Sequence, residues 1–435
     1  MLTVTSKRST LAQDRGLAAA LVLGAVLLWS GGGRGMVAQA PSPFETPPVL
    51  PASELAPPDL LQGPMFTVDS QVPIVGMLGH FTIRADIGTF EAHGREMLRI
   101  RTGELHAIAQ INKMSKSDVF LNAARNAVER PVQSMAHLVE NPVQTAQGLS
   151  GGVERFFGRV ELGAQRLDTA ASAPAPSSTD RADLLARRVG GLTADVFGYE
   201  AERRAMAKSL GVDPYTTNPA LAKQLSDMAW VAFSGRVGVN TLISVFVPAS
   251  IAISAVSATN NLIYDTPAAD LIVRNQQQLA EMGSSEADTQ ALMKNPWYAL
   301  SVLTSLVTAL DRLSGVDGRP AVVALAATAT TEDQARFLAN AVEMLAAQQQ
   351  TGVPLTKVGA SGTVIGWSQS GTPIVPGAVD YVAWTERLAG FAGRPELQGT
   401  PGSLWITGRM SPEAQRQFAS LGWTIQQNVS PPWQR

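Results

Sequence analysis

Leu404-Trp405-Ile406-Thr407, Ser411-Pro412-Glu413 and Gly422-Trp423-Thr424-Ile425 follow one another within twenty-two residues near the carboxyl end of the chain. Leu404 to Thr407 and Trp423 to Ile425 are short apolar runs with β-branched and aromatic residues, the composition of strands. Between them, Ser411 is placed to cap a helix, Pro412 to open it, Glu413 to favour its positive end and Gly422 to stop it. Two strands joined by a capped helix at this spacing are what a parallel pair with a crossover requires. Residues 319–435 are therefore expected to form a small α/β domain.

The rest of that region extends the same pattern. Residues 321–328 are a run of small apolar side chains that predicts a buried strand, and Thr331-Glu332-Asp333 opens a helix with acids in its first turn. Residues 363–367 and 373–375 flank Ser370-Gly371 as a hairpin, and residues 379–391 read as a helix.

Toward the amino end the pattern turns helical over residues 183–318. A helix through Tyr199 to Leu210 stops at Gly211, Asp213-Pro214 turns the chain, and Asn218-Pro219 starts the next helix. The same device recurs at Thr266-Pro267 and Asn295-Pro296. Leu300, Leu303, Val307 and Leu310 then make a buried stripe that ends at Gly315. Residues 169–182, rich in Ala, Ser and Pro, are expected to link this helical domain to what precedes it.

Residues 65–168 are expected to form a β-hairpin plus helices. Phe81, Ile83 and Ala85 share one face of an alternating run, Ile87-Gly88 can turn it, and residues 89–93 return. Helical spacing follows, with Met97, Ile100, Ile108 and Ile111 on one stripe. Val128-Glu129-Arg130-Pro131-Val132-Gln133 recurs eleven residues later as Val139-Glu140-Asn141-Pro142-Val143-Gln144. The prolines predict two short helices rather than one rod. The whole chain is thus expected to be α+β: hairpin plus helices, a mainly helical middle domain, and the small C-terminal α/β domain.

Residues 1–40 have the order of an export signal. Lys7, Arg8 and Arg15 precede an apolar run from Leu17 to Trp29, and Val37-Ala38-Gln39-Ala40 offers a cleavage site. Residues 41–64, with Pro41, Pro43, Pro47, Pro48, Pro51, Pro57 and Pro58, are expected to be an extended Pro-rich linker. The periplasm or the exterior is the expected compartment, with membrane association as the alternative.

Composition narrows the function. The 435 residues are 45% hydrophobic and 16% charged, and the net charge of −2 provides no drive toward nucleic acid. With no cysteine, disulfides, thiol nucleophiles and cysteine-bound metals are excluded. Residues 237–258 carry no charge and are long enough to span a bilayer, but Asn240, Thr241, Pro248 and several serines dilute them. Buried core is the plainer reading, and a membrane-inserting segment is the other.

No recognisable catalytic motif emerges. His80, His93 and His106 are spaced thirteen apart and His137 lies beyond, which invites a metal reading, yet no H-E-x-x-H accompanies them and ordinary strand and surface histidines explain them better. Gly366-Trp367-Ser368-Gln369-Ser370-Gly371 misses the hydrolase elbow G-x-S-x-G by one residue, and no histidine follows it. Phosphate-cradling glycine motifs are absent in their usual form, and Gly359-Ala360-Ser361-Gly362 reads as a turn. Glu91, Glu96, Asp213, Asp380 and Glu386 are read as caps or solvated groups. Trp367 and Trp405 are read as packing rather than as a sugar platform.

These residues nominate no catalytic, cofactor-binding or metal-ligating position and imply no cofactor. The expected function is that of an exported bacterial envelope protein in a non-catalytic binding or structural role, its partner an envelope protein or a membrane surface and not nucleic acid. Two alternatives stay open: a toxin-like protein inserting residues 237–258, and a hydrolase or metal enzyme built on the N-terminal histidines.

Overall fold

Prolines punctuate residues 44–64 rather than extending them. A computed structural model describes residues 43–126, 192–235, 237–239, 241, 258–352, 354–394, 397 and 401–434. It begins with β1 (Val49–Pro51), α1 (Ala52–Leu55), α2 (Pro58–Leu61) and β2 (Gln62–Gly63). Pro51 and Pro57 sit just outside the two helical turns, where a fixed φ and a missing N–H cost nothing. Ala52, Leu55 and Ala56 between them are buried. The expected linker over residues 41–64 is corrected in this part: burial of these side chains ties the segment down.

The antiparallel sheet that follows contains β3 (Phe66–Val68), β4 (Gln71–Val75), β5 (Leu78–Ala85) and β6 (Gly88–His93). β5 organises it. One edge of β5 pairs with β6 from His80 opposite His93 to Ala85 opposite Gly88. Its other edge pairs with β4 near its start and with β3 near its end. The alternation seen in the sequence places Phe81 and Ile83, both 0% exposed, in a core with Val72, Leu98 and Leu105. The turn falls at Asp86-Ile87, one residue earlier than expected.

Gly94 leads into the long helix α3 (Arg95–Met114) with φ of 91°, a conformation open to glycine and costly for other residues. After α4 (Asp118–Asn126) comes the helical region: α5 (Leu192–Leu210), α6 (Pro219–Ser234), α7 (Ala258–Asp265), α8 (Ala268–Glu281), α9 (Glu286–Met293) and α10 (Leu300–Arg312). Asn218 caps α6, its side-chain oxygen accepting the N–H groups of Ala220 and Leu221. Asn295 acts differently from expectation. Its side chain accepts the Trp297 N–H at 3.0 Å in a turn, and the helix starts only at Leu300. The stripe of Leu300, Leu303, Val307 and Leu310 is buried.

The run expected as a strand over residues 321–328 is instead helix α11 (Arg319–Ala327). Its four alanines are strong helix formers, Pro320 fits the first turn, and Val322, Val323 and Ala326 bury one side. A short apolar run has no period that separates strand from helix. Next comes α12 (Glu332–Thr351), capped by Thr331 through the Gln334 N–H.

The C-terminal part comprises β7 (Leu355–Ala360), β8 (Val364–Ser368), β9 (Pro373–Gly377), β10 (Tyr381–Val382), α13 (Glu386–Ala392), β11 (Ser403–Ile406), β12 (Arg409–Met410), α14 (Pro412–Ser420) and β13 (Thr424–Gln426). The helix expected over residues 379–391 is shorter at its start, because Thr385 caps it and Tyr381-Val382 pair in parallel with Arg409-Met410. The main sheet runs β13-β11-β9-β8-β7, parallel through its first three strands and antiparallel through the last. The β11–α14–β13 crossover is the parallel unit read from the sequence.

Strand alternation divides this sheet between two cores. Val364, Ile374 and Trp405 pack with α10 and α12, whereas Ile365, Val375, Leu404 and Ile406 pack with Phe418 and Trp423 on the opposite face. The described chain is α+β and mostly helical, with an N-terminal antiparallel sheet, a helical middle region and a small C-terminal mixed sheet. Among the described residues, no helix is long and apolar enough to cross a membrane. The export signal, the eleven-residue repeat, residues 169–182 and nearly all of residues 237–258 lie outside the described residues.

Candidate ligand-binding cleft

Helix α3 carries two different stripes. Met97, Leu105, Ile108 and Ile111 face cores, while Arg95, Arg99, His106 and Gln110 line an open cleft of about 1080 Å³. The same cleft is lined by Asp213 from the loop after α5, Ser301 and Ser305 of α10, and Arg336, Asn340 and Glu343 of α12. Residues 428–431 and Trp433 complete the lining. Charged groups far apart in sequence thus share one concave surface, the usual form of a small-ligand site.

The start of α3 is fixed by Asp380. Its carboxylate accepts the Gly79 N–H at 2.8 Å and the Arg95 N–H at 3.1 Å. Gly408 lets the Asp380 backbone pack against it, since a Cβ there would lie 2.0 Å from the Asp380 carbonyl oxygen. Burial pushes the Asp380 carboxyl above the ordinary aspartate range, against the two backbone donors and Arg95. Arg95 also donates from its guanidinium to the Thr407 carbonyl at 3.0 Å.

Deeper in the cleft, Arg336 lies among Glu332, Glu96 and Asp213. Burial works against its charge, but these carboxylates outweigh it and hold the guanidinium above its usual pKa. Arg336 Nε donates to Glu332 at 3.1 Å. Burial raises Glu96 and Asp213 in turn, opposed for Glu96 by Arg336 and Arg99 and for Asp213 by the Ser301 hydroxyl. Asn340 donates to Glu96. Asp213 accepts the Ser301 hydroxyl and the Tyr215 N–H.

A second network anchors the same wall. Glu104 is 2% exposed and accepts from Arg101 at 2.7 Å, from Asn218 at 3.0 Å and from the Thr216 hydroxyl. Arg101 also donates to the Thr217 hydroxyl at 3.0 Å, which donates to Glu332 at 2.9 Å. The network therefore joins α3, the start of α6 and α12. Among the residues that line the cleft, Arg99 Nε and Gln110 Oε1 are buried with no hydrogen-bond partner, an expensive condition for isolated polar atoms.

The histidines divide between two places. His80 and His93, opposite each other on β5 and β6, stack with ring centroids 4.0 Å apart and planes 12° from parallel. His93 Nδ1 lies 2.6 Å from Asp333 Oδ2. Burial, then the charge of His93, lowers the pKa of His80, against Asp333 and Glu91. His106 is elsewhere, its Nδ1 donating to the Thr102 carbonyl at 2.7 Å and its ring edge-on to Phe66. His137 lies outside the described residues. Among the described residues, no three His, Asp or Glu side chains are arranged to hold a metal ion.

Other sequence candidates stay apart. Ser368 and Ser370 hydroxyls are 2.8 Å from each other, and Ser368 accepts the Thr372 N–H, the pattern of a tight turn. Trp405 is buried with its ring N–H on Ser403, and Lys357 covers the Trp367 ring at 5.2 Å. Asp380, read from the sequence as a cap or solvated group, is buried and works as a cap, whereas Glu96 and Asp213, read the same way, are half-buried and cap no helix. Glu104 and Arg336 were not singled out by the sequence. One signal was available: Glu104 falls on the apolar stripe of Met97, Ile108 and Ile111, where a charge demands buried partners.

No protein-family model matches this chain, and comparison with curated proteins and with solved structures returns no match. The cleft has to be interpreted from its own chemistry.

Proposed function

We propose that this chain is an exported protein of the bacterial envelope that binds a polar ligand in the cleft between α3 and α12 without turning it over. The observation that carries the binding reading is the preformed cleft, with charged groups of both signs on its walls and unpartnered polar atoms at Arg99 and Gln110. A ligand offering an acceptor to Arg99 and a donor to Gln110 would satisfy both.

The non-catalytic part rests on how the acids are held. Glu104 and Asp213 are each engaged on both carboxylate oxygens by donors of the protein itself. A general acid or base has to reach a substrate proton, and these carboxylates are committed elsewhere. The basic start and apolar run of residues 1–40 support export.

Thermal-shift measurement of the purified mature chain against a panel of sugars, short peptides and organic phosphates tests the binding reading. Stabilisation by at least one class, blocked by a side chain that fills the cleft, is expected. Reproducible turnover of any panel compound, abolished by one substitution in the cleft, would overturn the non-catalytic assignment. Fractionation with N-terminal sequencing tests export; intact, unprocessed chain recovered only from the cytosol would overturn it.

A further inference from the structure

We infer that the cleft binds a short zwitterionic peptide, its carboxylate held at Arg99 on α3 and its ammonium group at Glu343 on α12; this rests on the binding reading above.

The α3 wall provides the anion subsite. Arg99 has a buried Nε without a partner, and a guanidinium fork suits a planar carboxylate. Between Arg99 and His106, Gly103 is exposed, and a Cβ placed on it would meet nothing within 4 Å. Glycine in a helix interior is unfavourable relative to alanine. Here it keeps the wall low where an elongated ligand would lie.

Helix α12 provides the cation subsite. Glu343 is 17% exposed and receives the Arg312 guanidinium on Oε2. Its Oε1 is the carboxylate oxygen left to a ligand ammonium. Ser305, in the same lining, adds a hydroxyl suited to a peptide backbone.

Charge of both signs argues against the simpler ligands. A polyanion would meet Glu96, Asp213 and Glu343, and a polycation would meet Arg95, Arg99 and Arg336. A molecule with opposite charges at its two ends meets neither penalty. Ile100, Val302 and Trp433 in the same lining give apolar surface for side chains.

Isothermal titration of the full mature chain with alanine peptides of two to four residues tests this, each as free peptide, C-terminal amide and N-acetyl form. Free peptides should bind, and blocking either end should weaken binding about tenfold or more, the scale of one charge-assisted hydrogen bond. Arg99→Gln should erase the difference between acid and amide, and Glu343→Gln the difference between free and acetylated amine. Comparing the blocked peptides needs no variant, so the test survives if a substituted chain fails to fold.

Equal binding of all three forms overturns the proposal. So does absence of peptide binding when a sugar or organic phosphate binds and Gly103→Gln, which raises the α3 wall beside Arg99, weakens it; the cleft reading would then stand. Peptide binding unaffected by Gly103→Gln would overturn both.

Discussion

Asp380 caps helix α3 through the backbone N–H of Arg95, 285 positions earlier in the chain. Gly94, at the local cap position, has no side chain to do this. The carboxylate at the positive end of the helix also accepts the Gly79 N–H. One side chain of the C-terminal region thereby sets where the cleft's main wall begins. Asp380→Ala should destabilise the chain by about 1–3 kcal/mol for each stranded N–H, and Asp380→Asn by less, because an amide oxygen still accepts. Urea denaturation with an unchanged midpoint for Asp380→Ala would remove Asp380 from this role.

Glu96 should make stability depend on pH in a definite direction. Burial first, against Arg336, Arg99 and the Asn340 bond, raises its pKa in the folded chain. The folded state then binds more protons than the unfolded state above about pH 4.3, so this group's contribution falls as pH rises toward its folded value. Glu96→Gln should therefore gain stability relative to the parent as pH rises, with little difference at the acid end. Melting temperatures of both chains across that range check it, and a constant difference would contradict it.

His80 has the opposite dependence on acid. Burial and the neighbouring His93 lower its folded pKa, so protonation is less favourable in the folded chain. Stability from this group is present at neutral pH and is lost as pH falls through about 6.5 toward the lower folded value. His80→Gln should flatten this part of the melting profile. An NMR titration placing the His80 midpoint above the free-histidine value would refute it.

Glu104 is the most exacting polar position. Glu104→Ala would leave Arg101, Asn218 and Thr216 facing an empty carboxylate site. Removing one partner of a buried pair costs about 3–5 kcal/mol. Denaturant unfolding of Glu104→Ala measures this, and a loss below about 1 kcal/mol, the scale of an exposed ion pair, would show that solvent reaches the network.

Local signals in the sequence were reliable where one physical cause acts over a few residues. Phe81 and Ile83 alternate into the core because a strand's side chains repeat every two residues. Asn218, Thr331 and Ser411 cap helices because a short polar side chain reaches the next free N–H. The same kind of reasoning failed at residues 321–328, where length and apolarity fit strand and helix equally. It also failed at Pro51 and Pro57, whose neighbours are held by burial against distant residues. The candidate site was less legible: Glu104 on an apolar stripe was a local clue, whereas Arg336 and Asp213 gave none.

Chain order alone determined the α+β class, the β11–α14–β13 crossover and the cysteine-free mode of stabilisation, because periodicity, capping and composition act between neighbours. Packing decided the cleft. Asp213 receives the Ser301 hydroxyl, and Asp380 the Arg95 N–H, only when helices and sheets from separate stretches come together. Desolvation of their charges is a property of that assembled surface, since a carboxylate loses its water to surrounding elements and not to its sequence neighbours.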